Sequence, residues 1–339
     1  MSAPDRILVI RRDNIGDMVC TTPLIEALRK HYPTAWIGVL TNSYSAPVLD
    51  GNPDVDEVLA YRKLKHLGDG ESALASLAGR ASMLWRLRGK RMSVAIVAAG
   101  AKDQRSERLA RLLGPESIVT PAVAATGEHE VERTFRAAQM LGIHDVIPPV
   151  RVVAQPAATS RALDAVGRAG LGNRHPLVGV HISARRPAQR WPVERFGELV
   201  AALSARFGCA TILLWSPGPE SHPQHPGDDG KAEAIIALAA GKTSLVPYPT
   251  ATLAHLIGAL SICDVVLCSD GGAMHVAAGL GKPIACFFGD SPIARWRPWG
   301  VPHSILQAAS GPVEGVPVES AIAAIANLLQ DRAASTSTL

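Results

Sequence analysis

The stretch "IRRDNIGDMVCTTPLIEALRKHYP", residues 10–33, decides how the rest of the chain is read. It follows the apolar run Ile7-Leu8-Val9-Ile10 and leads into Leu24-Ile25-Glu26-Ala27-Leu28, whose apolar spacing is helical. Strand, turn and helix in this order open a βαβ unit, where a nucleotide-binding fold carries glycines that admit phosphate. Here the turn holds Gly16, read as allowing a tight backbone at the strand end, and beside it the carboxylate Asp17. A carboxylate repels phosphate but accepts a proton. Asp17 is therefore read either as an acidic residue stabilised by the helix dipole or as a general base toward a substrate hydroxyl.

Six further short apolar runs share the character of the first: 35–40, 94–98, 177–181, 211–215, 265–268 and 284–288. Stretches with helical spacing separate them, which predicts an α/β chain with mostly parallel sheets covered on both faces. The series falters between Val146 and Pro176, where prolines and a small-residue helix intervene. Two domains are expected, over 1–160 and 176–330, a division that suits 339 residues. The tail "ESAIAAIANLLQDRAASTSTL" reads as a docking helix followed by small polar residues.

Composition narrows the function classes. With 47% hydrophobic and 19% charged residues the chain is ordinary globular protein. It shows no basic flank before a long apolar core and no apolar run of membrane-spanning length, so a cytoplasmic location is expected. Cys20, Cys209, Cys263, Cys268 and Cys286 form no CxxC pair and are odd in number, which reads as buried reduced thiols. Between Arg62 and Arg91 eight basic residues face two acidic ones. There Leu74, Leu77, Met83, Leu84, Trp85 and Leu87 interleave with Arg80, Arg86 and Arg88, a pattern that fits a solvated helix face or one lying on anionic lipid or phosphorylated glycan. Aromatic content of 4% offers no stacking platform, so no nucleic-acid partner is expected.

Several signatures fail. No GxGxxG follows a strand, and no GxSxG elbow is present. "AAGKTS" at 239–244 would need its first P-loop glycine at Ile236. "GEHEVER" offers His129, Glu130 and Glu132 without a second histidine at metal spacing, so neither metal nor cofactor is expected.

Two later segments carry the remaining chemistry. In "LCSDGGAMHVAAGLGKPIACFFGDSPIARWRPWG", residues 267–300, Gly271 and Gly272 bare the amides that open a helix, a receptor for a diphosphate. His275 either donates to that anion or packs as a polar helix residue. Asp270 is read as accepting from sugar hydroxyls or capping the helix. In "VGVHISARRPAQRWPVERF", residues 178–196, the loop after the strand carries Ser183, Arg185, Arg186 and Arg190, either a solvated basic loop or cations for a leaving group's phosphates.

Together with "QRWPVERFGEL", "HEVERTFRAAQMLGI" and "FGDSP" before a Trp-x-Pro, these segments resemble glycosyltransferase family 9, the heptosyltransferase family of lipopolysaccharide core assembly. The resemblance spans nearly the whole chain. It implies a GT-B architecture, two Rossmann-like domains with parallel sheets facing across a cleft, acceptor on the N-terminal side and nucleotide sugar on the C-terminal side. It implies an inverting, metal-independent transfer of a sugar, heptose from an ADP-heptose donor, to an anionic glycan or glycolipid acceptor at the cytoplasmic face of the inner membrane. Asp17 then looks like the base, with Gly16, Arg12 and Lys102 toward the acceptor. Ser183, Arg185, Arg186, Gln189, Arg190, Glu220, Asp270, Gly271, Gly272 and His275 look like the donor site.

The chain departs from the family pattern in two places. Gln189 stands where members often have a lysine thought to neutralise the diphosphate, so Arg185, Arg186 or Arg190 takes over or the donor is bound differently. Asp270-Gly271-Gly272 stands where Asp-Thr-Gly or Asp-Ser-Gly is common. Two other functions fit the same scaffold: a nucleotide-sugar epimerase or hydrolase, and a non-catalytic nucleotide-sugar binding protein.

Overall fold

The apolar runs form strands because consecutive residues are buried on both faces, as strands of a helix-covered parallel sheet must be. In the computed structural model Ile7, Leu8, Val9 and Ile10 are completely buried. The structure describes residues 3–61, 73–100, 103–122, 127–172, 175–221, 227–241, 243–309 and 311–336. The described chain divides into two compact units, Met1–Val152 and Val153–Leu339.

The first unit is a five-stranded parallel sheet of β1 (Arg6–Ile10), β2 (Trp36–Asn42), β3 (Glu57–Tyr61), β4 (Val94–Val97) and β5 (Ser117–Val119), in the order β3-β2-β1-β4-β5. Its helices are α1 (Ile15–Val19), α2 (Thr22–His31), α3 (Ala73–Gly89), α4 (Gln104–Leu113) and α5 (Glu130–Met140). The order reverses between β1 and β4, so their carboxyl ends open the crevice in which doubly wound sheets place their ligands. The turn quoted first sits there.

The second unit has a six-stranded parallel sheet of β6 (Leu177–His181), β7 (Ala210–Trp215), β8 (Leu245–Pro249), β9 (Val265–Ser269), β10 (Ile284–Phe287) and β11 (His303–Leu306), ordered β11-β10-β9-β6-β7-β8. Around it lie α6 (Pro156–Arg168), α7 (Val193–Phe207), α8 (Asp229–Ala239), α9 (Leu253–Ser261), α10 (Gly272–Gly279), α11 (Ile293–Trp296) and α12 (Val318–Thr336). Here the reversal lies between β6 and β9, the strands that lead into the arginine loop and the Asp270 turn. Helix α6 packs closely on α9, where a Cβ at Gly258 would come within 2.4 Å of the Ala158 carbonyl oxygen. Helix α12 docks as expected, sinking Ala321, Ile322, Ile325 and Leu328 into the core.

All five cysteines are buried free thiols. In α3, Leu87 is fully buried and Met83 and Leu84 pack against the first unit's core, whereas Trp85 is 81% exposed. The helix therefore turns Met83, Leu84 and Leu87 inward. Residues 62–72, which hold Arg62, Lys63 and Lys65, lie outside the described residues, as do the side chains of Leu74 and Leu77. Among the described residues no helix is long and apolar enough to cross a membrane.

Candidate active site

In the first unit the chain leaves β1 with Arg11 bonded through its amide to the Leu40 carbonyl, 3.0 Å away, and enters α1 through Asn14. Asp17 occupies the first turn of that helix. Its Oδ2 accepts from the Asn14 amide at 3.1 Å and from Asn14 Nδ2 at 3.3 Å, and its Oδ1 accepts from Arg11 Nη2 at 2.7 Å. Gly16 is a buried residue of the helix and is absent from the positive-φ glycines.

Arg11 was not singled out in the sequence, yet it organises this end of the sheet. Its side chain is 2% exposed, and Asp13, Asp17 and Glu130 approach it at 3.0, 2.7 and 2.8 Å. Burial opposes its charge, but Asp17, Glu130 and Asp13 outweigh burial and hold the guanidinium above the usual arginine range. Asp13 responds the other way. Burial, reinforced by Asp17, Asp103 and Glu130, raises its carboxyl above the ordinary aspartate range despite Arg11. Arg12, the expected acceptor contact, donates from Nε to Tyr61 Oη at 2.6 Å. Arg80 of α3 lies over the same ring, 5.1 Å from its centre, so one aromatic ring gathers two guanidinium groups. Lys102 lies outside the described residues.

In the second unit the arginine loop and the Asp270 turn meet. Gln189 ends a short 3-10 turn, Pro187–Gln189, and is buried. Its Nε2 donates to Asp270 Oδ2 at 3.0 Å and to Ser291 Oγ at 3.2 Å, and its carbonyl accepts from Ser269 Oγ at 2.8 Å. Arg186 reaches the same hydroxyl, with Nη1 3.3 Å from Ser291 Oγ, while Nη2 pairs with Asp290 at 2.5 Å. Burial raises the Asp270 carboxyl above its usual range, against the lowering influence of Ser291, Arg186 and Gln189.

A second network holds the outer loop. Ser183 Oγ accepts from the Ser216 amide at 2.9 Å, tying the ends of β6 and β7 together. Arg190 is committed to the Ala184 carbonyl at 3.1 Å and to Glu220. Arg185 is exposed. Trp191 anchors the loop from below, donating from Nε1 to the Val316 carbonyl at 3.0 Å and stacking on Phe287.

Gly271 precedes α10 with extended backbone and is exposed; a Cβ there would meet only the Ser269 carbonyl oxygen, at 3.9 Å. The N-cap residue of α10, Gly271, offers no side-chain cap. His275 is buried in that helix with its ring 5.9 Å from Trp296. The structure thus brings Arg186, Gln189, Asp270 and Ser291 into one network and Arg190, Glu220 and Ala184 into another. Sequence reasoning missed Ser291, which hid in "FGDSP", and Arg11 with Glu130, whose acid-base match across 119 residues was the available signal. Among the described residues no three His, Cys, Asp or Glu side chains are grouped to hold a metal ion.

The sequence is similar to lipopolysaccharide heptosyltransferase 3 of Escherichia coli, 24% identical over 321 residues that cover 89% of this chain and 88% of that protein. It is also similar to lipopolysaccharide heptosyltransferase 2 of E. coli strain K12, 25% identical over 84% of this chain and 83% of that protein. The fold resembles that of a family 9 glycosyl transferase from Veillonella parvula, with TM-score 0.83, 20% identity and coverage of 96% and 97%. It resembles that of the E. coli ADP-heptose lps heptosyltransferase II as well, with TM-score 0.76, 19% identity and coverage of 96% and 99%. The α/β fold of GT-B type expected from the sequence is therefore present, with its two parallel sheets. Residues 91–315 match the profile of glycosyltransferase family 9 (heptosyltransferase), and the chain is a glycosyltransferase that belongs to this family.

Proposed function

We propose that the protein transfers heptose from ADP-heptose to a hydroxyl of an anionic lipopolysaccharide-core glycan, with inversion and without a metal ion. The observation that carries this reading is Asp17, a carboxylate fixed at the carboxyl end of β1 by Arg11 and Asn14. The donor assignment draws on the relative whose name specifies ADP-heptose.

In this mechanism the acceptor oxygen attacks the anomeric carbon on the face opposite the diphosphate. Asp17 takes the hydroxyl proton as the new bond forms. The bond to the diphosphate oxygen breaks, and ADP leaves with its electron pair. The amides that open α10 and the guanidinium of Arg186 offset the charge that develops there. Asp270, held by Gln189, accepts from the sugar hydroxyls, and Glu220 contacts the nucleoside. Arg12 and Arg80 around Tyr61 face the anionic acceptor, and Trp85, exposed beside Arg86, touches the cytoplasmic face of the inner membrane.

Replacing Asp17 by Asn tests the assignment. Transfer from ADP-heptose to a core oligosaccharide is expected to fall by at least about a hundredfold while calorimetric ADP binding persists. Turnover near wild type removes Asp17 as the base. Rapid breakdown of donor without acceptor marks a hydrolase instead.

A further inference from the structure

Glu130 entered as a rejected metal ligand, yet it is 4% exposed and shares a single nitrogen with Asp17. Arg11 Nη2 lies 2.7 Å from Asp17 Oδ1 and 2.8 Å from Glu130 Oε1. The other terminal nitrogen, Nη1, donates to the Ala98 carbonyl at 3.1 Å and approaches Thr134 Oγ1 at 3.5 Å. Thr134 in turn donates to the Glu130 carbonyl at 2.9 Å. The guanidinium is thus clamped between the end of β4 and the first turns of α1 and α5. It cannot rotate toward one carboxylate without abandoning the other.

We infer that Arg11 and Glu130 are positioning residues for Asp17, Arg11 fixing the direction of its carboxylate and Glu130 drawing part of the Arg11 charge away from it. The inference rests on the reading of Asp17 as base. A base held by an undivided arginine would give up its proton too readily to take one from an acceptor hydroxyl. A second carboxylate on the same nitrogen corrects this. Among the described residues other charged groups also bear on the clamp. Asp13 stands 3.0 Å from Arg11 Nε, and Asp103 at the start of α4 acts on Asp13. Arg133 pairs with the far oxygen of Glu130 at 3.3 Å. Arg11 is thus contested by Asp13, Asp17 and Glu130, and Glu130 in turn by Arg133. Removing Glu130's charge hands more of Arg11's charge to Asp17; removing Arg133's acts in the opposite sense.

The test follows the titration of Asp17 directly, in the full chain labelled with [4-13C]aspartate, its resonance assigned by loss in Asp17→Asn. In Glu130→Gln the Asp17 midpoint is expected to fall by about half a pH unit or more, and Glu130→Asp restores it. In Arg133→Gln, a substitution at a partly exposed site, the midpoint is expected to rise. A merely structural role moves neither. Midpoints unchanged in every variant that folds overturn the inference. Activity separates this outcome from failure of the underlying assignment: if Asp17→Asn still transfers heptose to core oligosaccharide, Asp17 is not the base, whatever its titration shows.

Discussion

Gln189 Nε2 stands 3.0 Å from Asp270 Oδ2, so the residue at the place where the resemblance implies a lysine serves the carboxylate. A neutral amide there neutralises nothing. Of the three arginines in the loop, Arg190 is engaged with Glu220, Arg185 is exposed, and Arg186 converges with Gln189 on Ser291. In the proposed mechanism Arg186 is the cation that does the work Gln189 cannot.

Arg186→Ala is accordingly expected to weaken ADP binding by about tenfold or more, the scale of a charge-assisted hydrogen bond, with little change in thermal stability because its side chain is half exposed. Adding Gln189→Lys to that variant should recover part of the loss. Calorimetry with ADP and with adenosine checks both statements. Equal ADP affinity in wild type and Arg186→Ala, or a loss equal for adenosine, contradicts them.

Gly289 follows β10 and touches the turn that bears Gln189. A Cβ on it would lie 2.7 Å from the Ala188 carbonyl oxygen, closer than backbone tolerates, so Gly289→Ala must displace the Pro187–Gln189 turn. We expect a stability loss of about 1–3 kcal/mol in urea denaturation together with weaker ADP binding. A variant that keeps both properties shows that the turn yields freely.

His181 ends β6 with Nδ1 buried and without a hydrogen-bond partner among the described residues. Burial, aided by the nearby Lys231, lowers its pKa to about 4 from the ordinary histidine value of about 6.5. Because the folded state binds this proton less readily than the unfolded state, acidification favours unfolding. Stability should fall through the window from about 6.5 to about 4, with this residue contributing about 2 kcal/mol of loss between about pH 7 and about pH 5. His181→Asn should flatten that part of the urea-measured pH profile. Parallel profiles for the two proteins refute the assignment.

How far the sequence revealed this molecule depends on where each strand lies. The seven apolar runs became the central strands β1, β2, β4, β6, β7, β9 and β10. The four strands without such runs, β3, β5, β8 and β11, are the four sheet edges. An edge strand is covered less completely, so its sequence need not be uniformly apolar; β8 even carries Pro247 and Pro249, which lack the N–H that a central ladder requires. The same logic governs the site. Gly271 and Gly272 announced an open helix start from composition alone. Arg11 and Arg12 are neighbours of identical type, and nothing local distinguishes the one that is buried. That choice is made by Glu130, Ala98 and Tyr61, which the fold brings from distant parts of the chain.

The clamp on Arg11 also bears on the order of folding. Its two carboxylate partners at Nη2 lie 6 and 119 residues away, and a buried guanidinium is costly until its charge is matched. The local partner is present early; the distant one arrives only after a long stretch of chain has closed on itself. Until α5 docks, Arg11 has its local carboxylates, Asp13 and Asp17, but lacks Glu130 at Nη2. Completion of the clamp around Arg11 is thereby coupled to completion of the unit, and a partly synthesised or cleaved first unit that lacks α5 lacks the Glu130 contact that shares Arg11 with Asp17.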